Sequence, residues 1–239
     1  MDHAPQIQQL FAMVIALIGP PPADTPKELQ LKQGDQIVAI GDSITQQAGY
    51  VRDIDAVLAD RYPQLKLPKV INKGIGGQKA EDLVKRFDRD VVKHKPAWVT
   101  ISIGINDVWH RLGKPHDPEI LAAYKKNVAA MVDQAQAAGI KVILLTPTVI
   151  QEDPKSEGNK RLMMYVAAEK EIAKEKNCQF VDLHGYFLTA LEKKPANVKG
   201  TWLTVDGVHM KPLGDAIMAA GVLRALGVPD AKVGAAATK

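Results

Sequence analysis

Cysteine is almost absent from this chain of 239 residues, where Cys178 stands alone. An intrachain disulfide is therefore impossible, and so is a metal or redox site built on a C-x-x-C pair. A chain of this length buries well over half of its unfolded surface and needs no such staple. Aromatic residues are scarce, at 5%. A strong excess of one charge is missing too: 31 Lys and Arg against 27 Asp and Glu leave a net +4. No Lys/Arg run is long enough to form a nucleic-acid tail. Nor does any apolar run reach the roughly 20 residues that a membrane-spanning helix needs.

What is present is ordinary globular composition, with 46% hydrophobic and 24% charged residues. One segment departs from it. Residues 10–18 (LFAMVIALI) are nine apolar residues in a row. That length fits the core of an export signal, with Ala23 able to end it, although the residues before it include Asp2 and no Lys or Arg. On this reading the chain is secreted or periplasmic. The same run also fits an N-terminal helix packed on the domain. Gly19-Pro20-Pro21-Pro22 cannot continue a helix and reads as a stiff linker. The expected organisation is a leader and linker over 1–26, one domain over 27–230, and a flexible Ala/Lys-rich tail over 231–239.

Within the domain, short β-rich runs alternate with longer stretches of helical period. Strands are expected over 36–40, 69–72, 98–103, 141–146 and 179–183, several of them apolar throughout, as parallel strands covered on both faces are. Ala80, Leu83, Val84, Phe87 and Val91 follow helical spacing, as do Leu121, Tyr124, Val128, Met131, Val132 and Ala135. Ala138-Gly139 supplies a helix stop. Further helices are expected over 160–176 and 211–226. This alternation predicts an α/β fold, with an open five-stranded parallel sheet between two helical layers. In such sheets the working residues collect at the carboxyl ends of the strands.

Those ends carry distinctive residues. The first strand runs into Gly41-Asp42-Ser43-Ile44-Thr45, which reads either as a helix N-cap or as an exposed nucleophile. It is not a G-x-S-x-G elbow, because Thr45 takes the place of the second glycine. The second strand runs into Asn72-Lys73-Gly74-Ile75-Gly76-Gly77, whose glycines suit a tight turn or a backbone that presents N–H groups to an anion. Lys79 breaks the dinucleotide fingerprint. The third runs into Gly104-Ile105-Asn106-Asp107, where a side-chain amide can donate to a developing negative charge or simply make a turn. Before the last helix comes Asp206-Gly207-Val208-His209, in which the carboxylate can hold one ring nitrogen and leave the other as a base. Singly these signals are weak: a Gly-Asp-Ser triplet arises by chance in about one chain in twenty of this length, and a D-x-x-H in about one in four. As a set they supply a nucleophile, a base, its orienter and oxyanion donors, the requirements of acyl transfer.

With these residues in place, the sequence resembles the SGNH (GDSL-type) hydrolase superfamily from Gly41 through the final helix. Within it, the chain is most similar to bacterial acetylxylan esterases, through 70–75, 98–109, Thr146-Pro147 and Phe180-Val181-Asp182. The resemblance implies a flavodoxin-like three-layer fold and a serine esterase. Its triad would be Ser43, His209 and Asp206, and its oxyanion hole the Ser43 and Gly77 N–H groups with the Asn106 amide. The substrate would be a small-molecule or oligosaccharide ester, with no nucleic acid, no membrane span, no cofactor and no metal. The chain departs from the esterases at two positions: Val205 stands where they carry tryptophan before the triad aspartate, and Met210 where they carry proline after the histidine. Asp42, Tyr50, Trp109 and Trp202 are candidates for contact with a sugar. Three activities fit this set: a carbohydrate O-deacetylase, a lipolytic esterase or thioesterase for longer acyl chains, and a catalytically silent carbohydrate-binding relative.

Overall fold

The computed structural model describes residues 4–230, with side chains from residue 9 onward. Helices are α1 (Ala4–Ile18), α2 (Ser43–Gln47), α3 (Gly49–Arg61), α4 (Ala80–Asp90), α5 (Ile105–Trp109), α6 (Pro118–Ala137), α7 (Glu157–Lys176), α8 (Leu183–Glu192) and α9 (Pro212–Ala225). Strands are β1 (Ile37–Gly41), β2 (Ile71–Gly74), β3 (Trp98–Ser102), β4 (Lys141–Leu145) and β5 (Gln179–Val181). All pair in parallel, in the order β2-β1-β3-β4-β5. β1 and β3 are buried along their whole length, because helices cover both faces of the sheet. One layer packs α1, α3, α8 and α9 together, and the other packs α4, α6 and α7.

The chain order turns at β1, so β2 and β3 flank it on opposite sides. At this switch point the loops after the three strands diverge and leave a crevice at the carboxyl edge. Close approach there has a sequence requirement. A Cβ on Gly74 would sit 2.1 Å from the Gln46 amide nitrogen, so only glycine lets the end of β2 pass α2.

Strand 69–72 expected from the sequence lies two residues later, at Ile71–Gly74. Its pairing with β1 carries Asn72, Lys73 and Gly74 opposite Ala39, Ile40 and Gly41. The expected fifth strand stops at Val181, and α8 begins at Leu183 with the Asp182 carboxylate accepting the Gly185 N–H. The apolar run 10–18 lies in α1, which seats Phe11, Val14, Leu17 and Ile18 in the core against α8 and α9. Lys193 Nζ donates to Ala16 O and Leu17 O, and Arg224 donates to Gly19 O, so carbonyls at the helix end are met by cations. No helix among the described residues is long and apolar enough to cross a membrane. The expected tail 231–239 lies outside the described residues.

Candidate active site

Ser43 opens α2 directly after β1. The cap is the residue before it: Asp42 Oδ1 accepts the Ile44 N–H at 3.0 Å. Ser43 Oγ is thereby free of capping and lies 2.8 Å from His209 Nε2. On the other side of the ring, His209 Nδ1 lies 2.6 Å from Asp206 Oδ2. Asp206 Oδ1 accepts the Val208 and His209 N–H groups at 3.0 and 2.8 Å. Partial burial raises the Asp206 carboxyl, but the bonds from His209 and Val208 outweigh it and leave the group at about 2. An ionised carboxylate only accepts, so Nδ1 carries the ring proton and Nε2 offers a lone pair to the serine hydroxyl. Residues 166 apart in sequence thus form one line of hydrogen bonds from hydroxyl to carboxylate.

The glycine loop after β2 lies beside this serine. A Cβ on Gly76 would be 3.7 Å from Ser43 Cβ, and the Gly76 N–H donates to Gln46 Oε1 at 2.8 Å. Gly77 follows at φ +75°, with open space around it. Asn106, almost fully buried, reaches the same loop and donates from Nδ2 to Gln78 O at 3.0 Å. An amide carries two N–H protons, so one fastens the loop and the other is available to an incoming oxygen. The structure therefore brings Ser43, Gly77, Asn106, Asp206 and His209 to one edge of the sheet.

The candidate sugar contacts separate. Trp109 is half-buried and meets the His209 ring edge-on, with centroids 6.2 Å apart. Trp202 is half-buried in the loop that carries Asp206 and His209, its backbone N–H bonded to Glu152. Tyr50 is not at the surface: it is fully buried, and its hydroxyl pairs with Thr45 Oγ1 at 3.0 Å. Its aromatic face serves the core. Asp42 is likewise buried, and its carboxylate is spent on capping α2.

Sequence reasoning passed over Arg86. Its guanidinium donates to Gly41 O at 3.0 Å, Lys73 O at 2.8 Å and Gln78 Oε1 at 2.7 Å, with Asp90 beside it at 3.0 Å. One buried cation therefore ties the ends of β1 and β2 to the glycine loop. The signal was Arg86 and Asp90 standing on the inward face of an amphipathic helix, at i,i+4. Among the described residues, no group of three or more His, Cys, Asp or Glu is placed to hold a metal ion. A cavity of about 1000 Å³ lies elsewhere, against Trp98, Lys141 and Gln179 where β3, β4 and β5 begin.

Asp42 and Asp107, next in sequence to Ser43 and Asn106, are buried carboxyls, and Asp53 and Asp215 are half-buried. Burial pushes Asp42 and Asp107 up to about 7, and Asp53 and Asp215 up to about 6. Each holds its proton to a higher pH in the fold than in the unfolded chain. That advantage is complete below the ordinary carboxyl value of about 4 and disappears as pH rises through about 6 to 7. Asp90 and Asp206, both held at about 2, act oppositely and lose their contribution as pH falls from about 4 toward 2. Thermal stability should therefore peak near about pH 4 to 5 and decline toward about pH 8. Melting followed by circular dichroism across this range checks it, and Asp107→Asn should flatten the alkaline decline. A melting point that climbs steadily from pH 5 to pH 8 would contradict the assignment.

Comparison with known proteins gives the site a lineage. The model of the GDSL-like Lipase/Acylhydrolase family matches residues 39–217. The chain belongs to this family. An acetylxylan esterase from Geobacillus stearothermophilus is 31% identical over 217 residues, which is 83% of this chain and 97% of that enzyme. The uncharacterized lipoprotein YqeF of Bacillus subtilis is 27% identical over 175 residues, covering 64% and 71%. Among solved structures, the crystal structure of Axe2, an acetylxylan esterase from G. stearothermophilus, superposes with a TM-score of 0.74 at 31% identity, over 83% of this chain and 97% of Axe2. An α/β hydrolase from the metagenome of Lake Arreo, LAE5, superposes with a TM-score of 0.74 at 28% identity, over 84% and 98%. The catalytic mutants of Axe2 replace a serine, an aspartate and a histidine, the last two being three residues apart. The GDSL fold, with its five-stranded parallel sheet between helices, is the architecture expected from the sequence. As a GDSL family member with esterase relatives, the chain is a carboxylic ester hydrolase.

Proposed function

We propose that this hydrolase removes acetyl groups from acetylated carbohydrate, xylan or xylo-oligosaccharides, through an acyl-enzyme on Ser43. The observation that carries the reading is the unbroken relay from Ser43 Oγ through His209 to Asp206. His209 Nε2 takes the hydroxyl proton as Oγ attacks the ester carbonyl. The tetrahedral oxyanion is met by the Ser43 and Gly77 N–H groups and the second Asn106 amide proton. The imidazolium, stabilised by Asp206, then protonates the departing sugar oxygen, and water releases acetate by the same route.

The carbohydrate substrate is supported by the similarity to acetylxylan esterases and by the shape of the rim. Gly76 and Gly77 are exposed, and Trp109 offers a half-buried ring beside His209. Such an open edge admits a polymer from the side. The same rim supplies an observation for the second reading, hydrolysis of longer acyl chains: Ile75 and Val205, at 39% and 65% exposure, flank the glycine loop and Asp206 with apolar surface. Axe2 carries a tryptophan directly before its catalytic aspartate, where this chain has Val205.

Acetate release from acetylated xylo-oligosaccharides tests the first reading. With p-nitrophenyl acetate, butyrate and octanoate, kcat/KM should fall steeply beyond acetate. A rise with chain length would assign the site to longer acyl esters.

A further inference from the structure

Two members of the triad, Asp206 and His209, rest on a loop that has no regular secondary structure. Residues 200–211 form a small irregular hairpin, closed by the Thr204–Met210 bridge, by the Val205 N–H on His209 O at 2.7 Å and by the Lys211 N–H on Leu203 O at 2.8 Å. These bonds shape the loop internally. They do not fix where its tip stands relative to Ser43, and the Asp206 side chain is 47% exposed.

That position is set from the β4–α7 connection. Glu152 Oε1 accepts the Leu203 N–H at 2.7 Å, the Thr204 N–H at 2.6 Å and the Thr204 Oγ1 hydroxyl at 2.7 Å. Its Oε2 accepts the Trp202 N–H at 2.7 Å. The neighbouring Gln151 N–H donates to Gly207 O at 2.8 Å, at the tip between Asp206 and His209. Two consecutive residues therefore grip both the base and the tip of the triad loop. Gly207 lies at φ +94°, where a Cβ would be 3.0 Å from Gln151 Cα, so the grip is also close.

Making it requires unfavourable backbone. Gln151 and Glu152 lie at φ +63° and +49°, in the left-handed region that side chains like these seldom occupy. Such conformations persist where surrounding bonds over-determine them. Here buried Asn159 brackets the pair: Oδ1 accepts the Ile150 N–H at 2.9 Å, and Nδ2 donates to Ile150 O at 2.8 Å and Asp153 O at 2.6 Å. We propose that Glu152 is a positioning residue for the esterase reaction, a carboxylate clamp that, with the Gln151 amide, holds the loop where His209 stays in line with Ser43. The inference rests on the proposed Ser43–His209–Asp206 relay.

The test compares Glu152→Ala, Glu152→Gln and Thr204→Val on p-nitrophenyl acetate, together with the rate at which a fluorophosphonate labels Ser43. A 1 Å misplacement of a reacting group costs on the order of 100-fold, so Glu152→Ala should lower kcat about 10- to 100-fold with KM nearly unchanged. Glu152→Gln keeps one acceptor oxygen and should fall between, and Thr204→Val, which removes one bond, should lose least. The labelling rate should follow the same order, because labelling needs the serine activated but no sugar bound. A Glu152→Gln protein that folds and matches wild-type kcat and labelling overturns the clamp, as does a loss confined to KM. Should Glu152→Ala not fold, the other two variants decide. Failure of the wild-type chain to label would instead refute the nucleophile on which the inference rests.

Discussion

Ser43→Ala should lower kcat/KM on acetyl esters by at least about 10⁴-fold, while the melting temperature stays close to that of the wild type. The first half follows from the hydrogen-bond line. The hydroxyl is the group aligned on His209 Nε2, and its neighbours offer no replacement. Thr45 is buried with its Oγ1 on Tyr50, and Ser102 is buried at the end of β3. The residual rate would come from donors that still polarise the carbonyl for attack by water. The second half follows from Asp42 rather than Ser43 capping α2. A serine N-cap lost to alanine costs about 1 kcal/mol, but here no cap is lost. Steady-state rates and a thermal melt on the same preparation check both halves. Retained turnover removes Ser43 from the mechanism, and a large drop in melting temperature shows that its hydroxyl supports the fold.

The parts of this site visible in sequence are those that the chain announces locally. Ser43, Gly77 and Asn106 each follow a short apolar strand within a few residues, and Asp206 and His209 fall three apart. Pattern and spacing suffice to place them at one sheet edge once the βαβ alternation is recognised. The β2 register and the start of α8 were less visible for the same local reason. Phe180, Val181 and Leu183 are apolar on both sides of a boundary that is decided by the Asp182 cap between them, and apolar residues alone do not distinguish strand from helix. Tyr50 misled because an aromatic near a nucleophile has the same letter whether it faces solvent or core. Arg86 and Glu152 were invisible as site residues because their partners are distant in sequence: Glu152 bonds residues 50 to 52 positions away, and Arg86 reaches Gly41 across 45. What sequence conveys poorly here is the set of long-range polar bonds that hold the reactive groups still.

Asp206→Asn should cost about 10⁴-fold in kcat, and more than Asp206→Ala. The reason is the division of labour between the two carboxylate oxygens. Oδ1 accepts two backbone N–H groups, from Val208 and His209, and Oδ2 accepts the ring proton on His209 Nδ1. Asparagine has one acceptor oxygen. Two backbone donors claim it at the Oδ1 position, which turns the amide NH2 toward the imidazole. Nδ1 must then accept, so the ring proton moves to Nε2 and points at Ser43 Oγ. The base is abolished although every heavy atom keeps its place. Alanine removes the carboxylate without imposing that tautomer: the site is half-exposed, so water can accept from Nδ1 and leave Nε2 free. Kinetics of both variants on p-nitrophenyl acetate separate the cases. Asparagine activity equal to wild type would exclude Asp206 from the relay. An alanine variant slower than asparagine would mean that the carboxylate acts through its charge on the imidazolium rather than through the choice of tautomer.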